Sequence, residues 1–192
     1  MKPTYTFPVL RGIQAGREYY LAMCSLKLVP RILLYNEVGV PAELRAQRVL
    51  NKSRVPEIAN YIVDNPKEYV FSALTASIDS NVEFTPFSND LDDSKTIGIL
   101  KIPMDATIVI NDGQHRRAAI DEALKKSPEL ADESIAIVFF IDAGLKRSQQ
   151  MFADLNKHAV RPSQSLGILY EHREPLAELV RFLSVNVPVF KP

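Results

Sequence analysis

The stretch Ile108-Val109-Ile110-Asn111-Asp112-Gly113-Gln114-His115-Arg116-Arg117-Ala118-Ala119-Ile120 sets a strand against a helix. Its first three residues are apolar and β-branched, which suits a buried strand. Asn111-Asp112-Gly113 then reads as a turn, and the residues from Gly113 onward favour a helix. Such a junction turns backbone N–H groups and guanidinium groups toward one spot, which suits an anion or phosphate. Two readings compete. In the structural one, Asp112 caps the helix and the arginines pair with Asp121 or Glu122. In the functional one, Gly113 permits close backbone approach, and Gln114 and His115 offer donors near the positive helix end. Arg116, with Arg117 beside it, then makes a planar two-pronged contact to phosphate.

Outward from this junction the chain alternates strand and helix signals. Residues 4–10 and 18–24 read as a hairpin around a five-residue Gly12…Gly16 loop. Residues 29–35 are apolar but interrupted by Pro30. Pro41 opens a predicted helix over 42–50, and Pro56 one over 57–64, with Ile58, Tyr61 and Ile62 on one face. The uncharged run 69–78 reads as a central strand, and 82–87 and 96–102 as shorter strands around a polar loop at 89–95. Asp90, Asp92 and Asp93 in that loop lack the glycine and terminal glutamate of a calcium loop, so a solvated turn is expected.

A strand at 107–110, a helix at 113–126 and a fully buried strand at 135–141 follow. Further helices are predicted over 146–156 (Met151, Phe152 and Leu155 inward), 163–170 and 174–185. The order implies an α+β fold, with a mixed β-sheet flanked by helices. The apolar end, Val187-Pro188-Val189-Phe190-Lys191-Pro192, suggests that a further element of a longer protein would cover it.

A chain of 192 residues with 46% apolar and 24% charged residues is long enough for a domain with a real core. No apolar run approaches the roughly 18 residues of a membrane span and the start lacks a signal-peptide pattern, so the expected location is cytoplasmic, away from membranes. The lone Cys24 excludes a disulfide framework and reads as a buried, inert thiol. His115, His158 and His172 show no metal-ligand spacing, and no metal site is expected. Hydrolase elbows, Walker loops and Gly-x-Gly-x-x-Gly strings are absent. The zero net charge conceals basic ends around an acidic middle: residues 1–60 hold nine Lys/Arg against four Asp/Glu, and 61–100 hold two against seven. That pattern fits a bipolar surface, although scattered solvated charges give the same counts.

Two more constellations bear on function. In the run 149–162, Phe152 and Leu155 suit a core, Asn156 sits where a helix ends, and Pro162 holds Arg161 extended. A C-cap for Asn156 and a surface place for Arg161 are the plain alternatives. On a helix, Arg45, Arg48 and Lys52 share one stripe, with Gln47 and Arg54 nearby; such a stripe is a solvated face or a phosphate-contacting one.

Asp112-Gly113-Gln114-His115-Arg116, followed by Phe152-x-Asp154-Leu155-Asn156 and Arg161-Pro162, resembles the DGQHR-domain proteins. The segments 45–54 and 69–77 narrow the resemblance to the DndB family, over nearly the whole chain. DndB proteins are longer. The resemblance therefore implies a DGQHR domain over residues 1–160 and a helical extension over 161–192 that continues into a missing part. It also implies a ParB/sulfiredoxin-like core, in which a Gly-x-x-Arg motif binds nucleotide phosphates. Gly113-Gln114-His115-Arg116 matches that motif, without the cysteine that sulfinic-acid reduction needs.

The function so implied is a DNA-binding transcriptional repressor of a DNA phosphorothioate modification gene cluster. Its phosphate ligands would be Asp112, Gly113, Gln114, His115, Arg116, Arg117, Asn156 and Arg161, and its DNA contacts Arg45, Gln47, Arg48, Lys52 and Arg54. Its partners would be promoter duplex DNA and a second copy in a homo-oligomer. The other reading is a nucleotide-binding domain for ATP or CTP, and, if it is an enzyme, a nucleoside triphosphatase.

Overall fold

The computed structural model describes residues 3–33, 50–51, 53–87, 95–145, 147–157, 163 and 174–187, apart from the side chains of Gln149, Asn156 and Val185. The chain divides into two units, Met1–Lys157 and His158–Pro192.

Along β1 (Thr4–Gln14), buried Phe7 and Val9 alternate with exposed Thr6, Pro8 and Leu10. Tyr20, Ala22 and Cys24 do the same along β2 (Arg17–Ser25), so each strand buries one face. Ala15 and Gly16 alone connect them, both at positive φ (50° and 71°), in place of the expected five-residue loop. Two left-handed residues match the twist of a tight hairpin. Gly12 belongs to the ladder, opposite Tyr19, and a Cβ there would lie 2.5 Å from the Tyr19 ring. The β1–β2 ladder stops at Val9, beside Pro8, which has no N–H to donate.

The other side of β1 pairs antiparallel with β5 (Ile97–Pro103), which pairs antiparallel with β4 (Glu83–Pro86). Beyond β2 come β7 (Ser134–Ile141, antiparallel), β3 (Leu74–Asp79, parallel to β7) and β6 (Thr107–Asp112, antiparallel to β3). The result is a seven-stranded mixed sheet in the order β4-β5-β1-β2-β7-β3-β6, the α+β class expected. Two details differ from expectation. The central strand begins only at Leu74, because residues 69–73 run off the ladder and leave Val70 exposed. Strand β7 buries Ile135, Ile137 and Phe139 but leaves Ala136, Val138 and Phe140 half-buried, so only one of its faces is core.

Helix α1 (Val29–Ile32) is a single turn with Pro30 at its start. Helix α2 (Arg54–Asp64) begins before Pro56, which sits in its first turn. Helix α3 (Gln114–Lys126) follows β6, and a 3-10 turn (Pro128–Asp132) leads into β7. Ala59 and Ile62 of α2, with Ala119, Ile120 and Ala123 of α3, join Leu74, Ile78, Ile137 and Phe139 in one core on one face of the sheet. Helix α4 (Ser148–Lys157) contacts β6, with Met151 and Phe152 half-buried. Leu155, expected inward, is exposed near the end of α4, although it follows Met151 by one turn. The predicted helices at 42–50 and 163–170 and the loop at 89–95 lie on residues outside those described, apart from Leu50, Ser163 and Lys95.

Described by itself, the second unit contains α5 (Pro175–Asn186), with proline in its first turn and Ala177 buried. No helix among the described residues is long and apolar enough to cross a membrane.

Candidate functional site

Strand β6 does not stop at Asn111; it continues through Asn111 and Asp112. Thr75 pairs with Asp112 and Ala76 with Ile110, so Asn111 is the extra residue of a β-bulge. Asn111 is fully buried. Its amide nitrogen donates to Ser77 Oγ at 2.7 Å, and its Oδ1 accepts from Ser148 Oγ at 2.7 Å, which ties β6 to β3 and to the start of α4. A bulge re-aims the side chain that follows it, here Asp112.

Gly113 is the hinge between strand and helix, at φ 94° and ψ 20°. A Cβ there would lie 2.4 Å from Leu74 Cδ2 and 3.1 Å from Arg116 Nη2, so glycine is needed for space as well as for conformation. The helix cap that the structural reading expected of Asp112 does not form. The left-handed glycine intervenes, and the carboxylate instead accepts from Arg116 Nη2 at 2.6 Å. Arg116 Nη1 donates to the carbonyls of Ser72 (2.6 Å) and Ala73 (3.0 Å) and to the Ser72 hydroxyl. The guanidinium thereby binds the off-ladder run before β3 to the helix.

The neighbouring Arg117 is buried and faces elsewhere. Its Nε donates to the Leu33 carbonyl at 3.1 Å and its Nη2 to the Pro30 carbonyl, around the end of α1. Asp121 and Glu122, the expected partners of these arginines, pair with Lys125 (3.1 Å) and Lys126 (3.3 Å), each one turn further on.

His115 Nε2 accepts the Asn51 backbone N–H at 3.0 Å, so the ring proton of the neutral imidazole lies on Nδ1. Burial first, and then the charge of Arg54, holds the imidazole below its ordinary pKa.

These groups surround a cleft of about 320 Å³ lined by Arg54, Ile58, Asp112, Gly113, Gln114, His115 and Arg116. Helix α3 enters it without a side-chain cap and without an acidic residue in its first turn. Its first intrahelical bond is Arg117 N–H to the Gly113 carbonyl, so the N–H groups of the preceding helical residues have no acceptor within the helix. Arg54 is exposed and has no acidic partner among the described residues. The cleft can hold an anion between a guanidinium and a positive helix end. Among the described residues, no group of three or more His, Cys, Asp or Glu is placed to hold a metal.

Of the expected phosphate ligands, the structure brings together Asp112, Gly113, Gln114, His115 and Arg116, and it turns Arg117 away. Arg54, read as a DNA contact, joins the same cleft. The side chain of Asn156 and all of Arg45, Gln47, Arg48, Lys52 and Arg161 lie outside the described residues. Four contributors went unforeseen, one side chain and three backbone groups. Ile58 lines the cleft one turn after Arg54, and that i, i+4 spacing was legible in the sequence. The Asn51 N–H and the carbonyls of Ser72 and Ala73 are backbone groups, for which side-chain identity gives no signal.

No curated protein and no solved structure matches the chain. Residues 7–192 match the family model of DndB, described as DNA-sulfur modification-associated. The strand–glycine–helix junction and its cleft are therefore features of a protein that belongs to the DndB family.

Proposed function

We propose that this DndB-family protein is a DNA-binding regulator, a repressor of a DNA phosphorothioate modification gene cluster, and that the cleft beside Gly113 receives a backbone phosphate. One observation carries the choice of ligand. Among the described residues, the lining holds two guanidinium groups, one of them paired with the Asp112 carboxylate, an imidazole and a helix start, but no Phe, Tyr or Trp, and Ile58 is its one large apolar side chain. A nucleobase is normally held by apolar or aromatic surface. A phosphate group needs only donors and positive charge, and helix N-termini and arginines supply both in DNA complexes.

Arg54 supplies the charge in this reading, with Arg45, Gln47, Arg48 and Lys52 as further proposed DNA contacts. The Gly113-x-x-Arg116 likeness to the ParB/sulfiredoxin-like fold belongs to the same proposal, with Arg116 bracing the wall of the cleft through Asp112 and Ser72.

The test is fluorescence anisotropy with a duplex from the promoter of the modification operon and a scrambled duplex, over a range of salt. The promoter is expected to bind more tightly, and Arg54→Ala should weaken both and lower the slope of log affinity against log salt by about one. Arg54 is exposed, so the variant should stay within about 0.5 kcal/mol of wild-type stability. Equal affinity for both duplexes overturns the regulator. Binding of ATP or CTP that Arg54→Ala abolishes, with no duplex binding, replaces it with the nucleotide-binding reading.

A further inference from the structure

Two side chains of one helical turn hold two distant points of the chain. Arg117 is bonded to the carbonyls of Pro30 and Leu33, and His115 to the N–H of Asn51. The first anchor is a guanidinium, which only donates. The second depends on an imidazole that accepts a hydrogen bond only while it is neutral.

We propose that His115 is a positioning residue that links occupancy of the cleft to the backbone at Asn51. An anion seated beside Arg54 favours the imidazolium, and an imidazolium cannot accept the Asn51 N–H. The inference rests on the phosphate reading of the cleft. One proton passes from solvent to Nε2, Nδ1 keeps its own, and the bond lost is Asn51 N–H to Nε2.

The charged groups around the ring among the described residues set the direction. Arg54 of α2 repels an imidazolium. Asp112 at the end of β6 and Arg116 of α3 also line the cleft, and they are paired with each other at 2.6 Å. Burial and Arg54 therefore favour the neutral imidazole. An anion offsets Arg54 and makes protonation easier.

The folded-state pKa is lowered, so the unfolded chain takes up a proton first as pH falls through the ordinary imidazole value of about 6.5. Stability falls with pH in that window and below it, until the folded imidazole is also protonated. A bound anion reduces that loss.

The test follows the His115 ring and the Asn51 amide of the whole chain by NMR from about pH 8 to about pH 5. Spectra are recorded with and without sodium sulfate, a dianion that does not titrate in this range. Sulfate is expected to raise the His115 midpoint by about one unit, which makes its affinity for the imidazolium form about tenfold higher than for the neutral form. Exchange of the Asn51 amide should rise in step.

His115→Gln places an amide oxygen where Nε2 accepts. It should bind sulfate with the same affinity at both ends of the pH range and keep the Asn51 amide protected. Wild type that binds sulfate with an unmoved His115 midpoint, or with an unchanged Asn51 amide, overturns the link alone. Absence of sulfate binding at either end of the range overturns the link together with the phosphate reading on which it rests.

Discussion

Replacing Gly113 with alanine imposes two separate costs at the junction. The backbone there sits at φ 94°, and an L-residue in the left-handed region costs about 1–2 kcal/mol. The new Cβ would also stand 2.4 Å from Leu74 Cδ2, deep in the core, and overpacking of that kind costs about 1–3 kcal/mol. Arg116 Nη2, at 3.1 Å, belongs to a long side chain and can give way. Leu74 is fully buried at the start of β3 and cannot do so cheaply.

The sum is a loss of about 2–5 kcal/mol, a large share of a typical 5–15 kcal/mol domain stability. Urea denaturation followed by circular dichroism measures it. Gly113→Asn separates the terms, because asparagine tolerates the left-handed region yet brings the same Cβ. It should recover about 1 kcal/mol of the alanine loss and no more. Gly113→Ala within about 0.5 kcal/mol of wild type would refute both the strain and the crowding.

Arg117→Met leaves the Pro30 and Leu33 carbonyls without their donor in a buried place and should cost about 1–3 kcal/mol in the same assay. Lys125→Ala, which removes an exposed pair one turn long, is the control, and equal losses from the two would contradict the buried clamp. The Cys24 thiol is buried and pushed up to about 12 by that burial. Iodoacetamide at pH about 8 should leave it unmodified in the folded protein and label it fully in urea, since reaction needs exposed thiolate. Labelling of the folded protein as fast as the unfolded chain would contradict this.

The parts of the fold legible in the sequence were those governed by period. Phe7 and Val9, or Tyr20, Ala22 and Cys24, announce a half-buried strand because the side-chain period of two is fixed by the backbone. The helix from Gln114 to Lys126 was legible for a similar reason. Glycine was the main source of error. Gly12 was read as loop, yet it makes room for the Tyr19 ring inside a ladder, and nothing local distinguishes the two uses.

The candidate site was half legible. Its strand–glycine–helix outline could be read, but the bulge at Asn111 could not, because it depends on how Ala76 and Thr75 meet β6 from thirty-odd residues away. For the same reason the roles of the arginines were misjudged. Asp112 looked like a helix cap and became the partner of Arg116, while Arg117 went to backbone carbonyls that no charge pattern reveals.

The strand order has a consequence for how the chain is made. The β1–β2 hairpin is local, but Thr4 pairs with Pro103 and Ser25 with Ser134. At ordinary rates of synthesis, roughly a hundred residues separate the hairpin from the strand that covers β2, a wait on the order of 5–20 s. A lone hairpin is marginal in water. Until β5 and then β7 are made, its two outer edges stand open to any other nascent strand. The sheet that carries the cleft is thus closed late, by its most distant pairings. Its vulnerable moment is on the ribosome, well before the protein meets a ligand.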